Sequence, residues 1–337
     1  MMRTYFLIFE KTLDKIGRTK IKMRTRTTRT LGTSGTSGKA TPNTFGIELE
    51  LTGISRKKVS KLVYNYLQSK EEIEIYCMDT FKIIDQQGRK WSVDYDGSIH
   101  GDSKEQVELV TPILTMEDLP LLKGLIETLK AAGAKSSDKL GAGLHIHVGS
   151  QGHNAKTIKN LVNIMAAHED QLFKAFEVTA RDRVGHYCKK VNENFLKKLN
   201  EQKPDTLDKL ADLWYQTQGY DFMRDDKYNG SRYHALNLHA LFNPLGYTTI
   251  EFRFGQFTEE TSMDWTVLEA FIRICLAIND LAKSVKTASF KKQQDDNPAY
   301  AFRCWLLRLG FIGDNTKAAR KFLLKNFSGD KAWRKAA

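Results

Sequence analysis

The stretch TFGIELELTG, residues 44–53, alternates between apolar side chains and glycine or glutamate. Residues two apart in a β-strand lie on the same face, so the stretch predicts one apolar face and an opposite face that carries Glu48 and Glu50. The two carboxylates would lie about 7 Å apart. A solvated sheet face explains one such strand as well as a binding site does, so the other strands have to decide between the two.

Three later stretches repeat this alternation: QVELV (106–110), LHIHV (144–148) and TIEFRF (249–254). Solvated sheet faces are usually rich in Lys, Thr, Ser and Gln, whereas Glu, His and Arg are residue types that bind divalent cations or phosphates. If the strands are neighbours, their carboxylates repel one another unless cations lie between them. We therefore predict a metal–carboxylate site, and its polar residues on these three strands are Glu108, His145, His147, Glu251 and Arg253.

The residue types narrow the choice of ligand. Carboxylates with an imidazole are typical of Mg²⁺ or Mn²⁺ sites, and scattered cysteines without paired spacing argue against structural zinc. Several carboxylates together with Arg253 are typical of a nucleoside-triphosphate site, where cations bridge phosphate oxygens and arginine neutralises charge on the transferred phosphoryl group. The four cysteines indicate free thiols in a reducing cytoplasm, and they are Cys77, Cys188, Cys275 and Cys304.

The net charge of +12 is concentrated at the two ends of the chain. Residues 1–43 hold ten Lys and Arg against two acids, and residues 286–337 hold twelve against four, which leaves 44–285 slightly acidic. The first region is rich in Thr, Arg, Gly and Ser and is predicted to be a disordered leader, while the last is predicted to be a basic helical extension. Such termini attract polyanions weakly and do not define the activity of the central domain.

The hydrophobic pattern predicts an α+β fold built around an antiparallel sheet. The predicted strands cover 44–51, 73–77, 81–84, 91–95, 105–110, 143–149, 235–242 and 248–255. The predicted helical regions cover 56–70, 117–132, 155–178, 186–217 and 263–284, followed by two more helices. The early apolar run YFLIF (5–9) is too short to span a bilayer, so we expect a cytoplasmic protein without a membrane segment.

Five motifs in this order resemble the putative amidoligase family, within the superfamily of carboxylate–amine ligases that contains glutamine synthetase and glutamate–cysteine ligase. They are FGIELEL, VELVTPIL, GAGLHIHVG, SRYHALNLHAL and TIEFRFG. The resemblance covers roughly residues 44–285, the predicted catalytic domain. It implies a funnel-shaped antiparallel sheet of the glutamine synthetase type, with ATP at one end, an acid substrate at the other and Mg²⁺ between them.

The resemblance also implies a reaction. ATP phosphorylates a carboxylate, and an amine attacks the acyl phosphate to form an amide. The acid and the amine could each belong to an amino acid, a peptide or a protein. An oligomer is compatible with the family, because subunits share the active site in glutamine synthetase.

Matched motif by motif, the resemblance implies metal ligands and phosphate contacts. His147, Arg232 and Arg253 would contact phosphate, Arg253 holding the γ-phosphate and Arg232 the phosphate or the acyl phosphate. The synthetases carry one more carboxylate beside the one matched by Glu108, and here we prefer Asp96 to Glu105. The implied metal ligands are Glu48, Glu50, Glu108, His145 and Glu251.

Other functions stay open at this point. The HIH strand could anchor a metal-dependent hydrolase, which would need a third His or Asp ligand and no Arg253 or Arg232. The basic ends could bind nucleic acid, and a guanidino kinase of the same broad fold would need more arginines than the predicted sheet offers. The segment 205–233 is predicted to be either a lid over the substrate or a plain connector, and His239 to be a packing residue rather than a ligand.

Overall fold

The structure is a computed structural model that describes residues 43–75, 80–179, 183–243, 245, 248–292 and 296–333. Residues 1–42 of the predicted leader lie outside these ranges, and so does Cys77. Within them, Cys188, Cys275 and Cys304 are free thiols.

Eight strands form one sheet in the described part of the chain, and every neighbouring pair is antiparallel. The strands lie side by side in the order β2-β3-β4-β5-β1-β6-β8-β7. The predicted α+β fold with an antiparallel sheet is confirmed. The strand bounds are β1 Phe45–Leu51, β2 Glu71–Ile75, β3 Thr80–Ile84, β4 Lys90–Tyr95, β5 Val107–Val110, β6 Leu144–Gly149, β7 Leu236–Asn237 and β8 Thr249–Gly255.

The helices include two long ones, α3 and α7, whose buried faces contact each other. No described helix combines the length and the apolar character needed to cross a membrane. The helix bounds are α1 Arg56–Tyr66, α2 Leu119–Ala131, α3 Ala155–Ala175, α4 Glu193–Gln202, α5 Leu207–Gln218, α6 His239–Phe242, α7 Trp265–Ser284, α8 Pro298–Arg308 and α9 Lys317–Leu323.

The apolar face of the sheet forms the core. Phe45, Ile47, Leu49 and Leu51 of β1 are at most 2% exposed, as the alternation predicts. Helix α7 packs closely on β6 and β8, and a Cβ on Gly255 would lie 2.3 Å from the Phe271 ring. Glycine at the end of β8 therefore permits this close approach of helix and strand. With the apolar face packed on helices, the polar side chains of the strands share the opposite face.

The prediction of a strand over 235–242 is wrong for most of its length. Only Leu236–Asn237 is a strand, and the chain then turns into helix α6. The Asn237 Oδ1 atom accepts a hydrogen bond from the His239 backbone N–H at 2.8 Å, a local contact that competes with strand pairing. The first residues of ALNLHALF alternate between apolar and polar side chains whether the stretch continues as a strand or turns into a helix. The hydrophobic pattern alone therefore could not reveal where the strand ends.

Three predicted helical regions end or break at residues with left-handed backbone. Gln68, Glu177 and Lys203 have φ angles of 48°, 57° and 48°. Helix α1 therefore ends before residue 70, α3 ends before residue 178, and the helical region predicted over 186–217 contains two separate α-helices, α4 and α5. Glycine is the residue that usually marks such ends, so these three side chains give no sequence signal.

Replacing Phe254 with alanine should destabilise the protein by about 3–5 kcal/mol, because it leaves a cavity in the core. The ring is fully buried and meets the rings of Phe176, Phe252 and Phe271 edge-on. Urea unfolding would measure the change. Phe222→Ala is the matched control, since Phe222 is 68% exposed and its loss should cost less than about 0.5 kcal/mol. Equal losses in the free energy of unfolding for Phe254→Ala and Phe222→Ala would contradict the assignment of this sheet face to the core.

Candidate active site

The sheet register brings the polar residues of β1, β5, β6 and β8 together. Glu48 lies opposite His145, and Glu50 lies opposite Glu108. On the next pair of strands His147 lies opposite Glu251. These strands are sequential neighbours in the sheet, so their second faces form one continuous polar surface.

His145 lies at the centre of this surface. Its Nδ1 atom is 3.0 Å from Glu48 Oε2 and 3.8 Å from Glu251 Oε1, and its Nε2 atom is 3.6 Å from Glu50 Oε1. Two sets of ligand atoms lie within 4.8 Å of one another: Glu48, His145 and Glu251, and Glu50, Glu108 and His145. The two sets share His145, and a neutral imidazole has one acceptor nitrogen, so the geometry offers two alternative positions for a cation that His145 ligates.

Glu108 shows the electrostatic consequence of this crowding. Burial and the negative charges of Glu48, Glu50, Asp96 and Asp94 raise the pKa of Glu108 well above its usual value. The protein therefore brings carboxylates close enough to disfavour their ionisation, which a divalent cation between them would reverse.

The carboxyl group of Glu48, in contrast to that of Glu108, has a lowered pKa. Burial alone would raise its pKa, but the charge of His147 and the hydrogen bonds from His145 and His147 lower the pKa well below its usual value. Its Oε1 atom lies 3.1 Å from His147 Nε2. Glu48 is thus held ionised between the two imidazoles.

His147 carries a positive charge in this environment. Burial would lower its pKa, yet the charges of Glu48 and Glu251 raise the pKa to about 9. Its Nδ1 atom lies 3.0 Å from Thr249 Oγ1. A protonated imidazole cannot ligate a metal but can donate a hydrogen bond to an anion, so His147 in this state is suited to contact an anion.

Glu251 and Arg253 form a buried ion pair on β8. Arg253 Nη1 lies 2.5 Å from Glu251 Oε1, and both side chains are less than 10% exposed. Burial would raise the pKa of Glu251, but Arg253 lowers it to about 2. The pair keeps a carboxylate and a guanidinium fixed on the same face as the ligand sets.

Asn237 also contacts Glu251, and the sequence analysis did not identify it as a site residue. It lies opposite Glu251 on β7, and its Nδ2 atom donates a hydrogen bond to Glu251 Oε2 at 2.5 Å. Both oxygens of Glu251 are therefore oriented, one by Arg253 and the other by Asn237. The available signal was the motif LNLHAL, in which Asn237 lies on the predicted strand two residues before His239.

The loop before β6 holds Glu50. The Gly143 backbone N–H donates to Glu50 Oε2 at 2.6 Å. Gly141 in the same loop has a φ of 70°, and a Cβ there would lie 2.8 Å from the Ser98 carbonyl oxygen. Glycine is needed at this close approach, which explains part of the GAG run before the HIH strand.

Of the two candidates for an additional carboxylate, Asp96 lies where its charge raises the pKa of Glu108. Its Oδ1 atom accepts a hydrogen bond from the Ser98 backbone N–H at 2.8 Å. The role of Asp96 stays a prediction.

Arg232 is the one implied residue that the structure does not bring into contact with the others. Its Nη1 atom donates to the Lys227 carbonyl oxygen at 3.0 Å, and its guanidinium lies over the rings of Tyr228 and Tyr233. It forms no ion pair with the cluster carboxylates among the described residues. Its predicted contact with phosphate stays a prediction.

The segment 205–233 and His239 support the cluster from outside. Asn229 donates hydrogen bonds to the carbonyls of Tyr220, Phe222 and Met223, which anchors the second half of the segment and favours a connector over a lid. His239 is buried, with its Nδ1 atom 2.7 Å from the Tyr215 hydroxyl. It belongs to neither ligand set.

Comparison with known proteins gives one family. The family model described as "Putative amidoligase enzyme" matches residues 41–279, which is more than half of the chain and includes all the strands of the sheet. No curated protein matches the chain.

Proposed function

The chain belongs to the putative amidoligase family, and from this premise we propose that it is an ATP-dependent carboxylate–amine ligase. The family description itself supports an enzyme that forms carbon–nitrogen bonds. In the proposed reaction a substrate carboxylate oxygen attacks the γ-phosphorus of ATP, and ADP leaves. The nitrogen of an amine then attacks the acyl carbon, phosphate leaves, and the amine loses a proton.

The observation that carries the metal requirement is the crowding of four carboxylates around one imidazole. Among the described residues of the cluster, Arg253 and the protonated His147 bring positive charge to these carboxylates. Carboxylate oxygens with a single imidazole fit Mg²⁺ or Mn²⁺. When bound, the cation would neutralise negative charge on the phosphate oxygens. The residues that would hold it are Glu48, Glu50, Glu108, His145 and Glu251, with Asp96 as an additional carboxylate.

The cationic side chains have different tasks in this proposal. Arg253 would bind the γ-phosphate, since Glu251 fixes its guanidinium before the nucleotide arrives. Protonated His147 would donate a hydrogen bond to a phosphate oxygen through its Nε2 atom, which would have to leave Glu48, while its Nδ1 atom stays near Thr249. Arg232 would join them only after a rearrangement that releases it from Lys227 and the flanking tyrosines.

The alternative functions receive less support. A hydrolase that uses both histidines of the HIH strand as metal ligands receives less support, because both ligand sets found among the described residues contain His145 and neither contains His147. Binding of nucleic acid through the basic ends would not use the buried Glu251–Arg253 pair. The antiparallel sheet with its polar face also supports a catalytic domain of the glutamine synthetase type. We further propose a cytoplasmic location and a carboxylic acid and an amine as substrates, each an amino acid, a peptide or a protein.

We expect the purified protein to convert a carboxylic acid and hydroxylamine to a hydroxamate when ATP and Mg²⁺ are present, with release of ADP. Hydroxylamine acts as a general amine, so a panel of acids can be screened by the colour of the iron–hydroxamate complex and by coupled ADP detection. Omitting ATP or adding EDTA should abolish the product. Release of ADP without hydroxamate across the panel would instead indicate a phosphotransferase, and binding of neither Mg²⁺ nor ATP in calorimetry would contradict the proposal.

A further inference from the structure

A cavity of about 880 Å³ lies in the helical layer, away from the polar face of the sheet. Its walls come from α3, from the end of α7 with the segment 285–291, and from α8. None of the proposed metal or phosphate ligands lines it. The volume lies within the range of about 300–1,000 Å³ that small-molecule pockets usually have.

Hydrogen bonds from buried side chains hold the wall of this cavity in place. Asn160 of α3 donates to the carbonyls of Ala282 and Val285 and accepts from the Ala288 N–H. Asn163, one turn further, donates to the Ala288 carbonyl at 3.0 Å. Both asparagines are at most 3% exposed, so they would be costly to bury without these partners. The irregular segment after α7 is therefore held against α3, and this wall of the cavity is in place before any ligand binds.

The interior of the cavity is mainly aliphatic and aromatic. Ile164, Leu281 and Val285 line it together with the Trp305 ring, on which the His168 imidazole stacks with centroids 3.9 Å apart. The Nδ1 atom of His168 lies 2.8 Å from Gln171 Oε1. Burial and the charge of Arg308 lower the pKa of His168, so this ring is neutral at pH 7. An apolar ligand body would find van der Waals contacts on all these groups.

Two cations, Lys291 and Arg308, lie among the lining residues and are exposed to solvent. Neither forms an ion pair with a described residue, and none of the described lining residues is acidic. The two acidic residues that follow His168 along α3 already have lysine partners. Asp170 pairs with Lys190 and Lys292, and Lys292 Nζ lies 3.6 Å from Glu169 Oε1. The charge of this pocket is thus complementary to an anion, while its interior is complementary to hydrocarbon.

We propose that this cavity binds an acyl carboxylate, an acid whose aliphatic chain lies against Trp305 and Ile164 and whose carboxylate lies between Lys291 and Arg308. The inference stands apart from the proposed ligase activity, since it uses none of the residues on the polar face of the sheet.

Octanoate is the probe for this proposal, and octan-1-ol is the same chain without the charge. Isothermal titration of the full chain should show one saturable site for octanoate. The double variant Lys291→Gln, Arg308→Gln should bind octanoate about tenfold more weakly, with little change for octan-1-ol. The control Lys197→Gln, Lys198→Gln removes two exposed positive charges from α4 and should bind octanoate as the parent chain does.

A second variant tests the cavity itself. Ala167 of α3 lines the cavity, and Ala167→Leu keeps a good helix former while filling part of the space. Binding of both octanoate and octan-1-ol should fall, and far-UV circular dichroism should show an unchanged fold. The proposal is overturned if the parent chain shows no saturable octanoate site, or if octanoate binds equally well to the double variant or to the filled variant.

Discussion

Arg253→Lys is expected to lower the rate of ATP-dependent amide formation by about 10³-fold, although the positive charge is retained. Arg253 is only 6% exposed, and its Nη1 atom is bound to Glu251. A planar guanidinium can keep this contact and still direct other N–H groups at a phosphate, whereas an ammonium offers a single donor centre. The loss should appear in kcat more than in the KM for ATP, since the interaction develops with the charge on the transferred phosphoryl group.

Lysine is a better replacement for Arg253 than alanine in this experiment. Removing the cation would leave Glu251 buried and unpaired, which costs about 3–5 kcal/mol and would confuse activity with folding. A thermal melt of Arg253→Lys should confirm that the protein is folded at the assay temperature. Arg224→Lys is the matched control, because Arg224 pairs with Asp212 and Asp221 outside the cluster and its replacement should leave the rate unchanged. Activity of Arg253→Lys within about threefold of the parent would contradict a role in phosphoryl transfer.

Glu48→Gln is expected to lower the same activity by about 10³-fold, because it removes one negative charge while the shape of the side chain is kept. Glu48 contacts both histidines and belongs to one of the two ligand sets. Its loss should also weaken Mn²⁺ binding by about 10–100-fold, which electron paramagnetic resonance of free Mn²⁺ can measure. The control Glu201→Gln alters an exposed residue of α4 and should change neither quantity.

The imidazole of His147 provides a further readout of this variant. The charge of Glu48 is the largest of the influences that raise the pKa of His147 to about 9, so the pKa should fall in Glu48→Gln. A titration of the imidazole resonances by NMR would follow this shift without any substrate. Full activity together with unchanged Mn²⁺ affinity would mean that Glu48 and Glu50 share a face merely because that face is solvated.

Much of the candidate site could be predicted because it depends on local alternation. Glu48 and Glu50 had to share a face once β1 was a strand, and the same holds for His145 with His147 and for Glu251 with Arg253. Different roles for His145 and His147 were implied by the resemblance, but the charge of His147 could not be predicted from the alternation. That charge depends on Glu48 and Glu251 from two other strands. Asn237 was missed for a related reason, because its importance lies in the orientation of Glu251 across β7 and β8.

The strand predicted over 235–242 shows a limit of the sequence analysis. The stretch keeps its apolar alternation, but a hydrogen bond from the His239 backbone to the Asn237 side chain begins a helix there. The phosphate contact of Arg232 stays a prediction. What the motif could not indicate is that this guanidinium contacts Lys227, Tyr228 and Tyr233 within the protein.

The amino-acid sequence alone determined the α+β class, the two faces of each strand and the residue types available for chemistry, because the period of a strand is a local property of the backbone. Only the tertiary structure decided the order of the strands, the distances within the cluster and the cavity between α3, α7 and α8. These depend on pairing between residues far apart in the chain, such as Glu48 with His145 and His147 with Glu251. A shift of one residue in either register would turn the same carboxylates to the other face of the sheet, and no local pattern excludes it.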